Sequence, residues 1–174
     1  MQHCGYSKQS KIPYDMAFIK SKYIGRTFIQ STQRLRRKQV LLKLNPIKNT
    51  VEGKRIILVD DSIVRGNTIT RLIKTLRKAG AKEIHLRIAS PKFVGICYFG
   101  TDVAKKDELI AVSKTKEEIR KEIGADSLEY LSLENLRNIA KKSKSKGFCE
   151  GCFTGKYPIE VPDEIEKDTF EKVF

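Results

Sequence analysis

The architecture of this chain follows from Arg55-Ile-Ile-Leu-Val-Asp-Asp-Ser-Ile-Val-Arg-Gly-Asn-Thr68. The run from Ile56 to Val59 is four consecutive branched apolar residues, which is typical of a parallel strand covered on both faces. Asp60 and Asp61 would then lie at the carboxyl end of the strand, the edge of an open α/β sheet where ligands bind. After a turn of small residues, helical spacing begins with Ile69, Leu72, Ile73 and Leu76. The predicted order is strand, loop, helix.

The turn between this strand and this helix is suited to a phosphate. A loop of small and hydroxyl residues can direct backbone N–H groups inward, and a helix N-terminus adds about half a positive charge. The two carboxylates would repel the anion unless they bind something else, and sugar hydroxyls and Mg²⁺ are their natural partners. The Gly-x-x-x-x-Gly-Lys-Ser/Thr loop and the Gly-x-Gly-x-x-Gly turn of nucleotide sites are both absent from the sequence. These residues favour a phosphorylated sugar.

The remaining pattern supplies neighbours for the strand. The helix should run from about Thr68 to Ala79 and end at Gly80. A second strand is indicated because apolar residues alternate with His85 and Arg87, namely Ile84, Leu86 and Ile88. A right-handed β-α-β unit follows, with His85 in a structural role.

Two later helices are predicted from their first residues. Thr115 and Glu118 have the spacing of a capping box, so a helix should run to about Glu122 and stop at Gly124. Ser132 should cap another helix, and its inward side chains are expected to be Leu133, Leu136, Ile139 and Ala140.

The charge of the chain is strongly positive and uneven. A net charge of +14 is compatible with nucleic acid, an anionic membrane surface or a polyphosphorylated ligand. No acid stands between Asp15 and Glu52, where nine lysines and arginines fall. Only Tyr23 and Phe28 are interleaved aromatics there, so we do not expect general nucleic-acid binding. No membrane-length apolar run and no signal-peptide core are present, which predicts a soluble cytoplasmic protein.

Three segments together resemble one enzyme family. Residues 59–68 resemble the phosphoribosyl pyrophosphate (PRPP) loop of type I phosphoribosyltransferases, and the form Asp-Asp-Ser-Ile-Val-Arg-Gly resembles the glutamine amidophosphoribosyltransferase branch. Residues 19–29 are similar to that family's flexible active-site loop, and Cys149-Glu-Gly-Cys-Phe-Thr-Gly-Lys-Tyr-Pro158 is similar to its carboxyl-terminal cluster-binding tail. The resemblance runs from about residue 5 to residue 162.

The resemblance implies an architecture. The fold class is α/β, a type I phosphoribosyltransferase fold with a mainly parallel sheet flanked by helices and a helical C-terminal extension. We expect a partial transferase domain over 1–125, with the flexible loop at about 20–45 and the PRPP loop at 59–68. The extension and cluster-binding tail would occupy 126–174. The family carries a glutaminase domain and the first part of the transferase domain upstream, so the chain is expected to be an N-terminally truncated fragment.

The resemblance also implies site residues. Asp60 and Asp61 would bind the ribose hydroxyls and Mg²⁺ and act in catalysis. The PRPP loop would hold the 5-phosphate through Ser62, Ile63, Val64, Arg65, Gly66, Asn67 and Thr68. Asn67 stands where the family most often has threonine, which replaces a hydroxyl with an amide donor. Lys43 and Arg26 would contact pyrophosphate during catalysis.

The implied reaction is the first committed step of purine biosynthesis. PRPP and glutamine would give 5-phosphoribosylamine, pyrophosphate and glutamate, in an enzyme expected to be a homo-oligomer without membrane or nucleic-acid partners. Two alternatives stay open: another type I phosphoribosyltransferase, and a non-catalytic module that binds PRPP or RNA.

The cysteines suggest a metal or cluster site. Taken alone, the pair Cys149 and Cys152 is compatible with buried structural cysteines or with zinc. The resemblance instead implies a [4Fe-4S] cluster with Cys97, Cys149 and Cys152 as three of its four ligands. Cys4 does not fall at the place of the fourth ligand, so the cluster is expected to be incomplete in these residues.

Overall fold

The chain folds around a parallel sheet whose first strand carries the Ile56–Val59 run. The computed structural model describes residues 2–20, 44–99, 106–142 and 147–161. In these ranges the strands are β1 (Phe18–Lys20), β2 (Leu44–Pro46), β3 (Arg55–Asp60), β4 (Glu83–Ile88) and β5 (Ser127–Tyr130). The helices are α1 (Gln2–Ser10), α2 (Lys48–Val51), α3 (Asn67–Lys78), α4 (Ile110–Ser113), α5 (Lys116–Ile123), α6 (Leu133–Ala140) and α7 (Gly151–Thr154), with a 3₁₀ helix at Lys106–Glu108.

The strands form two sheets. β3, β4 and β5 lie side by side and parallel in that order, with Asp60 paired to Ile88 and Ile88 paired to Tyr130. β1 and β2 form a separate antiparallel pair. Because parallel strands end at one edge of a sheet, Asp60 and Tyr130 lie along the same carboxyl edge.

One face of the parallel sheet is the hydrophobic core. Residues in register on the three strands share this face, among them Leu58, Leu86 and Leu128. They pack against buried side chains of the flanking helices, which are Ile69, Ile73, Leu76, Ile119 and Ile123. Each such side chain contributes about 1.5–3 kcal/mol on burial, so the loop between β3 and α3 is held at both ends by the core.

The opposite face changes character from strand to strand. On β4 and β5 it is polar: the two ring nitrogens of His85 lie 3.0 Å from Ser127 Oγ and 3.0 Å from Glu83 Oε2. On β3 it is apolar, and Ile57 and Val59 are only half-buried. They line a groove of about 540 Å³ whose other wall includes Tyr6, Tyr14 and Met16. Within the described ranges, the outer edge of β3 pairs with no further strand.

Several predicted elements are confirmed. The helix predicted to follow the branched strand is α3, and it begins and ends one residue earlier than predicted. The capping box of Thr115 and Glu118 has both of its hydrogen bonds. Gly124 ends α5 in the left-handed conformation, as expected.

Other expectations about elements were wrong or missing. Ile139 is not inward but 59% exposed, and no α6 side chain is fully buried. β5 was not predicted, because Ser127-Leu-Glu-Tyr130 is too short to show alternation. It extends the sheet past residue 125, and the division of the chain into 1–125 and 126–174 stays a prediction. No helix in the described ranges has the length and hydropathy needed to span a bilayer.

Candidate active site

The loop between β3 and α3 begins at Asp61 and ends at Gly66. Gly66 is the N-cap of α3 and has φ of +77°, a left-handed conformation that glycine adopts without strain. Its carbonyl oxygen accepts hydrogen bonds from the Thr70 N–H at 3.0 Å and the Thr70 hydroxyl at 2.8 Å. The helix therefore starts with its amide groups directed back at the loop.

The amide groups of this loop are available to a ligand. Among the described residues, the backbone N–H groups of residues 62–69 donate no hydrogen bond, and the first that does is that of Thr70. α3 has 12 residues, so its dipole adds positive potential at the same place. A run of donors at a helix N-terminus is an anion-binding arrangement.

Asp60 and Asp61 differ in environment although they are neighbours. Asp60 is in register with the buried Ile88, and burial raises the pKa of its carboxyl group. A 3.0 Å hydrogen bond from the Asp61 N–H lowers that pKa, and the negative charge of Asp61 raises it again. Asp61 is exposed and accepts a 3.3 Å hydrogen bond from the Ser62 hydroxyl. One acid thus faces the core side of the sheet edge and the other faces solvent.

Residues 108–110 brace the middle of the loop. The Ile110 N–H donates to the Val64 carbonyl at 3.0 Å, and Arg65 forms an ion pair with Glu108. Ile63 is 2% exposed and belongs to the core. The side chains of Ile63, Val64 and Arg65 are therefore engaged by the protein, which leaves their backbone N–H groups to face a ligand. Sequence reasoning missed this brace, because no local pattern links positions so far apart.

A second polar group at the same edge was also missed. The Tyr130 hydroxyl is buried without a hydrogen-bond partner among the described residues, and burial raises the pKa of Tyr130 to about 12. The Lys92 Nζ atom lies 5.9 Å from the centre of the Tyr130 ring. Arg26 and Lys43, the predicted pyrophosphate contacts, lie outside the described residues.

The carboxyl-terminal tail packs on the segment that follows β4. The backbone N–H groups of Val94 and Gly95 donate to the Cys152 carbonyl at 2.9 and 3.0 Å, and the Tyr157 hydroxyl donates to the Ile96 carbonyl at 2.6 Å. This packing brings Cys152 into the electrostatic range of Cys97 and Cys149, the other two predicted ligands. Cys152 is half-buried, and burial raises its pKa to about 11, with smaller contributions from the charges of Cys97 and Cys149. Cys4 is exposed on α1.

The three thiols lie in one region, but their side chains are not arranged as a metal site. In the described ranges, no group of three or more His, Cys, Asp or Glu side chains is arranged to hold a metal ion. The donor set fits the chemistry of zinc or an iron-sulfur cluster. The side-chain geometry would still have to adjust to bind either group.

Comparison with known proteins agrees with this geometry. Residues 6–93 match the family model described as phosphoribosyl transferase domain, which is half of the chain. The chain belongs to the phosphoribosyl transferase domain family. The match contains β3, the loop and α3, so the loop described above is part of the transferase domain.

Individual relatives are amidophosphoribosyltransferases. The chain is 53% identical over 169 residues to the Methanocaldococcus jannaschii amidophosphoribosyltransferase, covering 97% of this chain and 34% of that protein. It is 49% identical over 160 residues to the Bacillus subtilis amidophosphoribosyltransferase, covering 90% and 34%. The chain therefore spans about a third of the length of the relatives that it matches.

A solved relative has the same fold. The glutamine PRPP amidotransferase from B. subtilis, complexed with ADP and GMP, superposes with a TM-score of 0.78 at 48% identity, covering 93% of this chain and 36% of that one. The fold of the chain is that of a type I phosphoribosyltransferase, with a three-stranded parallel sheet and flanking helices.

Proposed function

We propose that this chain binds PRPP with Mg²⁺ at the carboxyl edge of β3 and is the phosphoribosyl-transferring part of an amidophosphoribosyltransferase. The proposal is carried by one observation. Asp60 ends β3 and Asp61 begins the loop, and the backbone N–H groups of residues 62–69 follow them without partners in the described structure. The 53% identity to an amidophosphoribosyltransferase supports the same assignment.

The loop supplies the phosphate-binding half of the site. The 5-phosphate accepts hydrogen bonds from the backbone N–H groups of residues 62–68 and from the side chains of Ser62, Asn67 and Thr68. Hydrogen bonds to a charged group are worth about 1.5–3 kcal/mol each. The side-chain amide of Asn67 donates one such bond to the phosphate, in place of the hydroxyl of a threonine. Gly66 allows the backbone to turn under the phosphate.

The acids supply the sugar-binding half. Asp60 and Asp61 hold the ribose hydroxyls, and Mg²⁺ when bound neutralises charge on the pyrophosphate that leaves. As the bond from C1 to the pyrophosphate oxygen breaks, positive charge grows on the sugar, and the two carboxylates stabilise it. Water hydrolyses glutamine to glutamate and ammonia in the full-length enzyme, and the ammonia then forms the C1–N bond and loses a proton. The products are 5-phosphoribosylamine and pyrophosphate, with glutamate from the glutamine, which begins purine biosynthesis.

Two cations complete the proposal. Lys43 and Arg26 contact the pyrophosphate, because a leaving group with this much charge requires positive partners. Both belong to the basic segment between Asp15 and Glu52, which contains no acid.

The cysteines are proposed as ligands of a [4Fe-4S] cluster. The packing of the tail brings Cys97, Cys149 and Cys152 into one region, and this supports the assignment. Anaerobic reconstitution with iron and sulfide should give the broad visible absorption of a cluster only when polypeptide carrying a fourth cysteine is supplied. Stable, stoichiometric zinc with no cluster absorption would overturn the assignment.

The proposed full-length enzyme is a cytoplasmic homo-oligomer. The cytoplasmic location and the homo-oligomeric state both depend on the assigned function. Cell fractionation and sedimentation of the full-length protein test them, and a monomer or a membrane-bound pool would contradict the proposal.

Isothermal titration tests the central assignment. With Mg²⁺ present, the chain should bind PRPP and also ribose 5-phosphate, whose phosphate occupies the same loop. An RNA gel shift is the matched comparison. Salt-sensitive RNA binding together with no PRPP binding would overturn the proposed function and favour a nucleic-acid module.

A further inference from the structure

The carboxyl-terminal tail reaches the loop between β3 and α3, called the phosphate loop from here on, through a small second hydrophobic core. Leu109 is 0% exposed and Phe93 is 6% exposed. Three partly buried side chains pack on them: Val64 from the loop, and Cys152 and Phe153 from α7. We name these five residues the bridge cluster.

The tail side of the bridge cluster is held firmly. The rings of Phe153 and Phe93 meet edge to face with their centres 5.0 Å apart, an attractive aromatic geometry. The two backbone hydrogen bonds to the Cys152 carbonyl fix α7 to the segment that follows Phe93. α7 is therefore attached by side chains and backbone together.

The loop side is held at three consecutive residues. Val64 packs in the bridge cluster and its carbonyl accepts the Ile110 N–H, Arg65 pairs with Glu108, and Gly66 lies against the Ile110 side chain. Leu109 stands between Glu108 and Ile110, so its burial fixes both neighbours. Displacement of Leu109 would release all three contacts at once.

Most of this support lies outside the segment that matches the transferase family. The match ends at residue 93, whereas Leu109, Cys152 and Phe153 follow it. The phosphate loop is thus inside the matched domain, and its support comes from beyond it.

We propose that Phe153 and Leu109 are positioning residues for the phosphate loop. They touch no ligand. Through Val64 and residues 108–110 they hold the loop with its N–H groups already directed at the phosphate. A loop without this support would lose backbone freedom on binding, which weakens affinity. The inference rests on the proposed function, because it assigns a role in the same site.

The test compares two ligands in one variant. Phe153→Ala should weaken the binding of ribose 5-phosphate about tenfold. It should leave the binding of inorganic pyrophosphate within about twofold, because that ligand depends on Lys43 and Arg26 rather than on the loop. Phe153→Leu, which refills the space, should restore ribose 5-phosphate affinity. Phe148→Ala is the matched control, since Phe148 is in the same tail but 55% exposed, and it should change neither affinity.

A second variant avoids the core altogether. Glu108→Gln removes the charge that pairs with Arg65 while keeping the shape of the side chain, and it should weaken ribose 5-phosphate binding about threefold. Glu117→Gln, which removes the surface pair of Glu117 with Arg120, is its control and should have no effect.

The outcomes separate the two proposals. If the unaltered chain binds neither ligand, the proposed function fails. If the unaltered chain binds both ligands and both Phe153→Ala and Glu108→Gln bind ribose 5-phosphate as tightly, the positioning role is overturned. Equal loss of both ligands in the folded Phe153 variant would also overturn it, because general damage would explain that result. If Phe153→Ala does not fold, Glu108→Gln decides alone.

Discussion

Gly66 lies so close to Ile110 that an added Cβ atom would stand 3.0 Å from the Ile110 Cδ1 atom. The same residue has a φ of +77°, so a side chain there is strained in addition to being crowded. Gly66→Ala should therefore lower the free energy of unfolding by about 2–5 kcal/mol, the sum of left-handed strain and overpacking. Denaturant unfolding measures this loss, and titration should show weaker ribose 5-phosphate binding.

Gly53 provides the matched control for that substitution. Its φ is +70°, and an added Cβ atom would meet nothing within 4 Å. Gly53→Ala should cost only the strain, about 1–2 kcal/mol. Equal losses in the two variants would show that the Ile110 contact has no energetic weight.

Asp60→Asn should stabilise the fold while it destroys binding. Burial raises the pKa of Asp60 above its ordinary value of 3.8, so the folded state disfavours the charged carboxylate. That cost is present above the raised pKa and disappears as pH falls through it towards 3.8. We expect a gain below about 1 kcal/mol at pH 7, because solvent screens the partly exposed carboxylate, with the hydrogen bond from Asp61 retained and no measurable PRPP binding. Thermal unfolding at several pH values and titration at pH 7 test this, and unchanged PRPP affinity would contradict the proposed role.

Asp126 should contribute to stability at neutral pH and lose this contribution in acid. Burial alone would raise the pKa of Asp126, but hydrogen bonds from the Ile84 N–H and Arg77 lower it below 3.8 overall. Its contribution is therefore present above 3.8 and is lost as pH falls through the depressed value. Asp126→Asn should cost about 1 kcal/mol at pH 7, because Asn still accepts from Ile84 but loses the charge. Glu129→Gln, which breaks an exposed pair with Lys116, should change stability by less than about 0.5 kcal/mol.

Lys43→Ala should weaken pyrophosphate binding about tenfold, which corresponds to about 1.4 kcal/mol. Ribose 5-phosphate binding should stay unchanged, because Lys43 is assigned to the leaving group and not to the loop. Lys38→Ala removes the same charge from the same basic segment and is the control. Equal effects of the two substitutions would indicate general electrostatic attraction without a specific contact.

The part of the fold that local pattern specifies was predictable. The branched run of β3, the helical spacing of α3 and the capping box of Thr115 each depend on residues that are close along the chain, and the strand, the helix and the cap are confirmed. The expectation that β3 is covered on both faces was wrong for the described residues, because β3 lies at the edge of their sheet and its outer face is only half-buried. β5 escaped because four residues show no period, and their strand conformation comes from pairing with β4. Ile139 was misjudged since helical spacing identifies an apolar face but not whether another element covers it.

In the candidate site, too, the residues that are consecutive in sequence could be predicted, and those that are distant in sequence could not. Asp60, Asp61 and the turn after them are consecutive in sequence, so their residue types could indicate their chemistry. Glu108, Leu109 and Ile110 act on the loop from far along the chain, and only folding reveals them. The cysteines were linked by family resemblance, and the packing of the tail shows how distant positions reach one region.

The outer face of the sheet is polar on β4 and β5 and apolar on β3, so we expect copies of the chain to associate through the β3 side. β4 and β5 present polar side chains, while the apolar side chains of this face, Ile57 and Val59 with the groove that they line, form a strip confined to β3. A net charge of +14 keeps copies of the chain apart in dilute buffer, but added salt removes that repulsion and leaves the strip free to act. Concentrated stocks should accordingly keep longest at low ionic strength, where like charge prevents the strips of neighbouring molecules from meeting.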